Sequence, residues 1–370
     1  MSVSELQTEY NQWKLVNSIY QDFCQQLCPR FQNSQKGKYE IHNIFERFLT
    51  SHHNHLAKSN PKPGVGRVRL NSDLPYIKKM MEELYQKRKF FKNGHQLKKI
   101  DIKNKVESIL IRVWNNQNYI HTTLTSLHLP IEFANDYLKF ANGEVFQRIA
   151  SDNLNKLITG LSNNKWTQAH LKKMILRYKA NLIGSQQWGI PSDVYDHLYS
   201  KFGARYEAFA SPLNSRFLGK DGGYFCSLFP DTDEIFGSLG SFFNVDMLMS
   251  GKNKRIVWSV NPPFVESIME DTFRKIFKAI EHAKEMNIEL IVFGVMPAWY
   301  DCRAFLNLKS FYGLKYLEIL KKGEYFYEAD KQIVARFESV AYVIDSKPHD
   351  EIDPEYQMAF KDMIIKNKDQ

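Results

Sequence analysis

Apolar positions fall into two patterns along the chain, and the change comes near residue 200. In the first part Ile77, Met80, Met81, Leu84 and Tyr85 recur at helical spacing with lysines and glutamates between them. Ile109, Leu110, Val113 and Trp114 continue the pattern. Asp73 is placed to cap the first of these helices, and Pro75 suits its opening turn. Between Lys58 and Asp73 the proline- and glycine-containing stretch from Pro61 to Arg69 predicts a loop or short extended arm. After about Lys201, short apolar runs alternate with amphipathic stretches. Arg255 to Val260 predicts a buried strand ending directly on Asn261, and Val265, Ile268, Met269, Phe273, Ile276, Phe277 and Ile280 trace one face of a long helix. Leu290 to Val295 and Ala341 to Ile344 predict further strands.

Strand, helix, strand in this order predicts an α/β fold: a mostly parallel, doubly wound sheet in a Rossmann-like domain over about residues 201–348. It would follow a mostly helical domain over residues 1–200 and precede a polar tail over 349–370. In such sheets ligands bind at the carboxyl ends of the strands, where Asn261 and Pro297 both fall. Trp166 and Trp188, twenty-two residues apart with Tyr178 between them and Pro191 beyond, have the landmark spacing of a WW domain. Thr167 as a cap, followed by Leu171, Met174, Ile175 and Tyr178, predicts a helix there instead. Hairpin turn signals are missing, so no WW domain is expected.

Composition sharpens this division. The chain has 370 residues, and its net charge of +9 is uneven. Residues 1–200 carry 28 Lys and Arg against 16 Asp and Glu, and residues 201–370 carry 22 against 25. The first domain is therefore the one suited to phosphates. The first twenty residues lack the apolar core of a signal peptide, and no run of eighteen apolar residues predicts a membrane span. An intracellular protein is expected, of nucleus or cytoplasm. Cys24, Cys28, Cys226 and Cys302 are too few and too scattered for a disulfide framework or a zinc knuckle. His52, His53 and His55 sit in a polar stretch without a partner ligand group, and no metal is expected.

Asn261-Pro262-Pro263-Phe264 carries the chemistry. An exocyclic amine is a poor nucleophile because its lone pair is delocalised into the purine ring. Accepting both amine hydrogens favours a pyramidal nitrogen with that lone pair freed. The Asn261 side-chain oxygen can take one hydrogen and the Pro262 carbonyl the other, while the proline pair stiffens the corner in advance. Phe264 offers a face on which a base can stack, worth about 1–3 kcal/mol. The tetrapeptide points to an amino-methyltransferase, with a strand-terminating loop as the plain alternative.

Several further strings resemble the family of cap-specific adenosine N6-methyltransferases typified by the phosphorylated-CTD-interacting factor of animals. They are Glu207-Ala208-Phe209-Ala210-Ser211-Pro212-Leu213-Asn214, Phe225-Cys226-Ser227, Phe229-Pro230-Asp231-Thr232-Asp233 and Phe236-Gly237-Ser238, followed in order by the tetrapeptide. The resemblance covers about residues 189–345. It implies S-adenosyl-L-methionine as cofactor, with Glu207, Ala208, Ser211, Pro212, Asn214, Phe236, Gly237 and Ser238 lining its pocket and Asp231 and Asp233 holding ribose hydroxyls or the amino group. It also implies that Glu266, Pro297 and Trp299, and in a late element Glu324 and Tyr327, face the substrate. The substrate would be capped RNA, methylated at N6 of the first-transcribed adenosine. Arg67, Arg69 and Arg112 are expected contacts for the cap phosphates or 7-methylguanosine. With no WW domain, recruitment to the polymerase tail through one is not expected. The rival readings are an N6-adenine methyltransferase acting on DNA or uncapped RNA, and a non-catalytic RNA-binding homologue.

Overall fold

A computed structural model describes residues 3–27, 40–51, 75–87, 98–116, 130–140, 145–180, 188–249, 254–329, 331–347 and 354–364. Its centre is a six-stranded sheet of β4 (Tyr206–Ala210), β5 (Tyr224–Ser227), β6 (Arg255–Ser259), β7 (Glu289–Pro297), β8 (Leu314–Leu320) and β11 (Ser339–Asp345). The order is β5-β4-β6-β7-β11-β8. β4 is parallel to both β5 and β6, and β6 to β7. β11 lies antiparallel to both β7 and β8. The sheet is therefore mainly parallel, compatible with the predicted Rossmann-like fold, with one reversed strand that apolar periodicity does not reveal.

The middle strands are apolar at successive positions because both faces are covered. Ile256, Trp258, Leu290 and Val292 turn to one face, where they meet Met269, Phe273, Ile276 and Ile280 of α9 (Glu266–Glu285) and Ala304, Phe305 and Leu308 of α10 (Arg303–Ser310). Each such buried apolar side chain contributes about 1.5–3 kcal/mol. Val257, Ile291 and Phe293 turn to the other face. There they meet Val194, Tyr195, Leu198 and Phe202 from α7 (Ser192–His197) and its π-helical continuation, together with Tyr356, Phe360 and Met363. Segments 190–202 and 354–364 thus belong to the core of this sheet, although a division at residues 200 and 348 leaves 190–200 and 354–364 outside it. The stretch read as a polar tail supplies buried aromatic rings.

The preceding residues are mostly helical. α1 (Val3–Leu27), α2 (40–51), α3 (Pro75–Gln86) and α4 (Lys99–Asn116) bury Val16, Ile44, Phe48, Leu84 and Val106 together. A small antiparallel sheet follows, β1 (Ile131–Phe133), β2 (Tyr137–Phe140) and β3 (Phe146–Arg148), which the helical expectation did not contain. Next come α5 (Ser151–Ser162) and α6 (Gln168–Ala180). Their core runs on into Leu213, Phe225, Phe229 and Phe236, so the two parts of the chain share apolar contacts. α1 is also fastened across the boundary. Arg177 on α6 donates to Glu9 on α1 and, at 3.0 Å, to Asp231 on the short helix α8 (Pro230–Asp233).

Candidate functional site

Strand order reverses between β4 and β6, with β5 to one side of β4 and all later strands to the other. A cleft opens at the carboxyl ends of those two strands, where ligands collect in such sheets. It encloses about 1080 Å³ of empty space, part of it open to solvent. Phe209, Leu228, Phe242, Phe243 and Ile268 give it apolar walls, and Glu207, Ser211, Asn214, Ser227 and Ser241 line it with polar groups. All four residues of Asn261-Pro262-Pro263-Phe264 line it too.

The proline pair fixes the local backbone. β6 and β7 pair in register from Arg255↔Glu289 to Ser259↔Phe293, and Val260 N–H still donates to Phe293 at 2.7 Å. Pro262 and Pro263 have no N–H and end the ladder. β7 runs on, and Asn261 Oδ1 takes up its Val295 N–H at 2.9 Å. Asn261 Nδ2 donates to the Ser259 hydroxyl at 3.0 Å and to the Tyr195 hydroxyl at 3.1 Å. The amide is thereby oriented, because a flipped group would set two donors against each other at Val295. One lone pair of Oδ1 stays uncommitted. The Pro263 carbonyl accepts from Val265 N–H at 2.7 Å, whereas no donor among the described residues bonds the Pro262 carbonyl. Behind the corner, Gly294 permits a close crossing. A Cβ there would stand 2.2 Å from the Val260 oxygen and 2.3 Å from the Tyr342 hydroxyl, which itself bonds that oxygen at 2.8 Å.

Glu207 on β4 is buried beneath the cleft. Its Oε2 accepts from the Ser215 hydroxyl at 2.9 Å and from Arg216 N–H at 3.0 Å. Burial raises its pKa, and these two bonds, the neighbouring Tyr195 hydroxyl and the Arg216 charge partly offset the rise. Ser211 and Asn214 form a local turn, with Asn214 Oδ1 accepting from Ser211 N–H and Oγ at 2.8 Å each. Tyr327 is buried against the far wall, edge-on to Phe264 at 5.7 Å and stacked with Trp188 at 6.2 Å.

A second groove adjoins the first. It runs between α2 and α3 on one side and the rim of the sheet on the other, with Arg47, Lys79 and Lys87 facing Glu82, Glu83, Glu266 and Asp301, and Trp299 beside them. Phe264 lines both spaces. Glu266, in the first turn of α9, is paired across the groove with Lys79 at 3.2 Å. Trp299 is exposed at its edge. Among the described residues, one group of possible metal ligands lies together, Glu266, Glu270 and Cys302, with atoms within 4.8 Å of one another.

Ala208, Ser211 and Asn214 lie in the cleft with Glu207, the tetrapeptide and Tyr327, whereas other expected contacts do not. Pro212 is buried and does not line it, its carbonyl facing Asn153 Nδ2 at 3.4 Å. Asp231 is held by Arg177, and Asp233 is buried with its Oδ2 accepting from Tyr178 at 2.6 Å. Burial pushes the Asp233 carboxyl up to about 7, against the hydrogen bond from Tyr178, the neighbouring Ser227 hydroxyl and the Arg177 charge. Phe236 turns away onto Trp166, ring centroids 5.0 Å apart. Gly237 adopts φ +94°, and Ser238 meets the cleft only through its 2.7 Å bond to Ser227. Pro297 is buried at the end of β7, and Glu324 stands exposed in a turn away from both spaces. Arg67 and Arg69 lie outside the described residues. Arg112 is on α4, its side chain likewise outside them. Tyr195, Ser227, Phe242, Phe243 and Trp188 line the cleft without having been singled out for it, and Thr50 reaches it from α2. Trp188 had a signal, its spacing from Trp166, and Ser227 lies in the Phe225-Cys226-Ser227 string; Tyr195, Phe242, Phe243 and Thr50 come from segments without a recognisable string.

Residues 156–329 match the family described as the phosphorylated CTD interacting factor 1 WW domain. A stretch of 158 residues is 31% identical to a protein of Mus musculus named mRNA (2′-O-methyladenosine-N(6)-)-methyltransferase, and equally to its namesake in Homo sapiens. The alignment takes in 42% of this chain and 20% of each relative, so the chain spans about a fifth of the length of the curated relatives it matches. Both findings support a relationship to this family. They also overturn the expectation that no WW domain is present, since a family model of that description matches residues 156–329, nearly half of the chain. With that, the objection to polymerase-tail binding is withdrawn. The matched span begins within α5 and ends just past β9 (Phe326–Glu328), taking in helix α6 and sheet strands β4 to β8.

Proposed function

We propose that this chain is an S-adenosyl-L-methionine-dependent methyltransferase acting on N6 of adenosine in mRNA, its target being the first-transcribed nucleotide beside the 7-methylguanosine cap. One observation carries the reading: Asn261-Pro262-Pro263-Phe264 occupies the mouth of the switch-point cleft with an oriented Oδ1 and an open Pro262 carbonyl. The names of the relatives support the substrate.

The residues of the cleft fit the cofactor. Its apolar walls suit a purine, and Ser211, Asn214 and Ser227 offer hydroxyl and amide groups for a ribose and an amino-acid end. When bound, S-adenosylmethionine supplies an electrophilic methyl group. The chain's own part is positional. Oδ1 of Asn261 and the Pro262 carbonyl accept the two amine hydrogens, drawing N6 out of conjugation. Phe264 stacks on the base, and the rigid corner holds this geometry before substrate arrives. Capped RNA would reach the corner from the helical part along the groove beside Phe264, where Arg47, Lys79, Lys87 and Trp299 stand among the carboxylates Glu82, Glu83, Glu266 and Asp301. A basic helical domain is thus the grip, and the sheet domain with segments 190–202 and 354–364 is the catalyst.

Nucleosides released from m7G-capped, adenosine-initiated RNA after incubation with the protein and S-adenosylmethionine should contain N6-methylated adenosine by mass spectrometry. Triphosphate-ended RNA should yield markedly less. Equal yield from both would remove the cap from the proposal, and methylation of DNA alone would replace the substrate.

A further inference from the structure

We infer that Arg216 binds the carboxylate at the amino-acid end of the methyl donor, and so sets the preference of the cleft for a donor that carries one. This rests on the proposed function and adds a residue that no string in the sequence marked.

Among the described residues that line the cleft, Arg216 is the one cation and Glu207 the one anion. A carboxylate entering this mostly apolar space would give up its water and meet the like charge of Glu207. A guanidinium in the wall removes that obstacle. Arg216 is placed for the task from both ends. Its backbone N–H donates to Glu207 Oε2 at 3.0 Å, which ties the chain to the cleft floor. Its Nη2 donates to Glu328 Oε2 on β9 at 2.9 Å. Glu328 is held in turn: the same oxygen accepts from Ser192 N–H at 2.9 Å, and its backbone pairs with Gly189 in both directions at 2.8 and 2.9 Å. The guanidinium is thereby fixed before a ligand arrives, with its side chain only 9% exposed. It owns five N–H groups, and the described partners take one. Nε and Nη1 bond no described residue, yet neither is sealed from solvent, so their open side is the cleft. Spare donors on a planar cation call for a planar acceptor, and a carboxylate matches them best. The place agrees too, because Arg216 follows directly on the Ser211–Asn214 turn at the end of β4.

Calorimetry with S-adenosylhomocysteine and with its decarboxylated analogue reads this directly, since the two ligands differ only in the carboxylate. The parent protein should bind the first about tenfold to a hundredfold more tightly. Arg216→Met should lose that preference, with the analogue still bound within about threefold of its parent affinity. A residue that only supports the fold would weaken both ligands alike, and that pattern overturns the inference. So does a preference that survives in the variant. Weaker binding of capped RNA with ligand binding intact would give the guanidinium to a phosphate and overturn it as well. If Arg216→Met does not fold, Arg216→Met combined with Glu328→Gln removes both charges together, and the same comparison decides. The parent protein separates the two levels: binding neither ligand sinks the proposed function itself, whereas binding both equally sinks only the role of Arg216.

Discussion

At the scale of single residues, Asn261 does two jobs with one amide. It closes the ladder that prolines end, and it keeps a lone pair for the cleft. Asn261→Ala should therefore lower the methylation rate by about 10²–10³, the usual cost of losing one preorganised polar group at a reacting centre, with the donor still bound. Asp233 makes a different prediction. Its carboxyl stands at about 7 in the folded protein against the usual 3.8. The native state keeps a proton there that the unfolded chain releases, so this group favours folding at low pH. That contribution fades as pH rises through about 7. Asp233→Asn keeps an acceptor for Tyr178 and cannot ionise. Thermal melts between pH 5 and 8 should show the variant gaining on the parent as pH increases. A gap that stays constant would refute the assignment. The tetrapeptide was legible because its chemistry is local. The positions of Phe236, Asp231 and Asp233 were not, since their partners Trp166, Arg177 and Tyr178 come from α5–α6 territory that no local pattern ties to them.

At the scale of elements, β6, α9 and β7 were readable from period alone, because strands buried on two faces and a helix buried on one leave distinct signatures. β4 and β5 gave weaker patterns, being short, and were marked only by the strings they carry. β1 to β3 were missed within a stretch judged by its helical neighbours. The fastening of α1 was also hidden, since Glu9 and Arg177 are 168 residues apart. That ion cluster is nearly sealed from water, with the Arg177 side chain 7% exposed and Glu9 1%. Arg177→Ala leaves two carboxylates facing each other in that site and should cost about 3–5 kcal/mol by urea denaturation. Arg177→Met should cost less if packing rather than charge is what the site needs.

At the scale of the whole molecule, the helical part and the sheet part meet along the groove beside Phe264. The charge asymmetry of the sequence set a basic first half beside a slightly acidic second half. It did not foretell that Lys79 would reach across to Glu266. Because that pair is exposed, it contributes little to stability, and its lysine is available to phosphate. Lys79→Glu should weaken capped-RNA binding and lower the slope of log K against log salt by about one, with Tm unchanged. An unaltered slope would move the RNA path elsewhere.

The reversed strand has a bearing on how the chain becomes a finished molecule. β8 is made before β11, yet it joins the sheet only through it, because β11 lies between β8 and β7. During synthesis β8 must wait without a neighbour until Ser339–Asp345 emerges, and the aromatic residues of 354–364 then seal the face behind. A nascent chain stopped before Ser339 would have the tetrapeptide in hand and an open strand edge on β7, so it should aggregate rather than methylate.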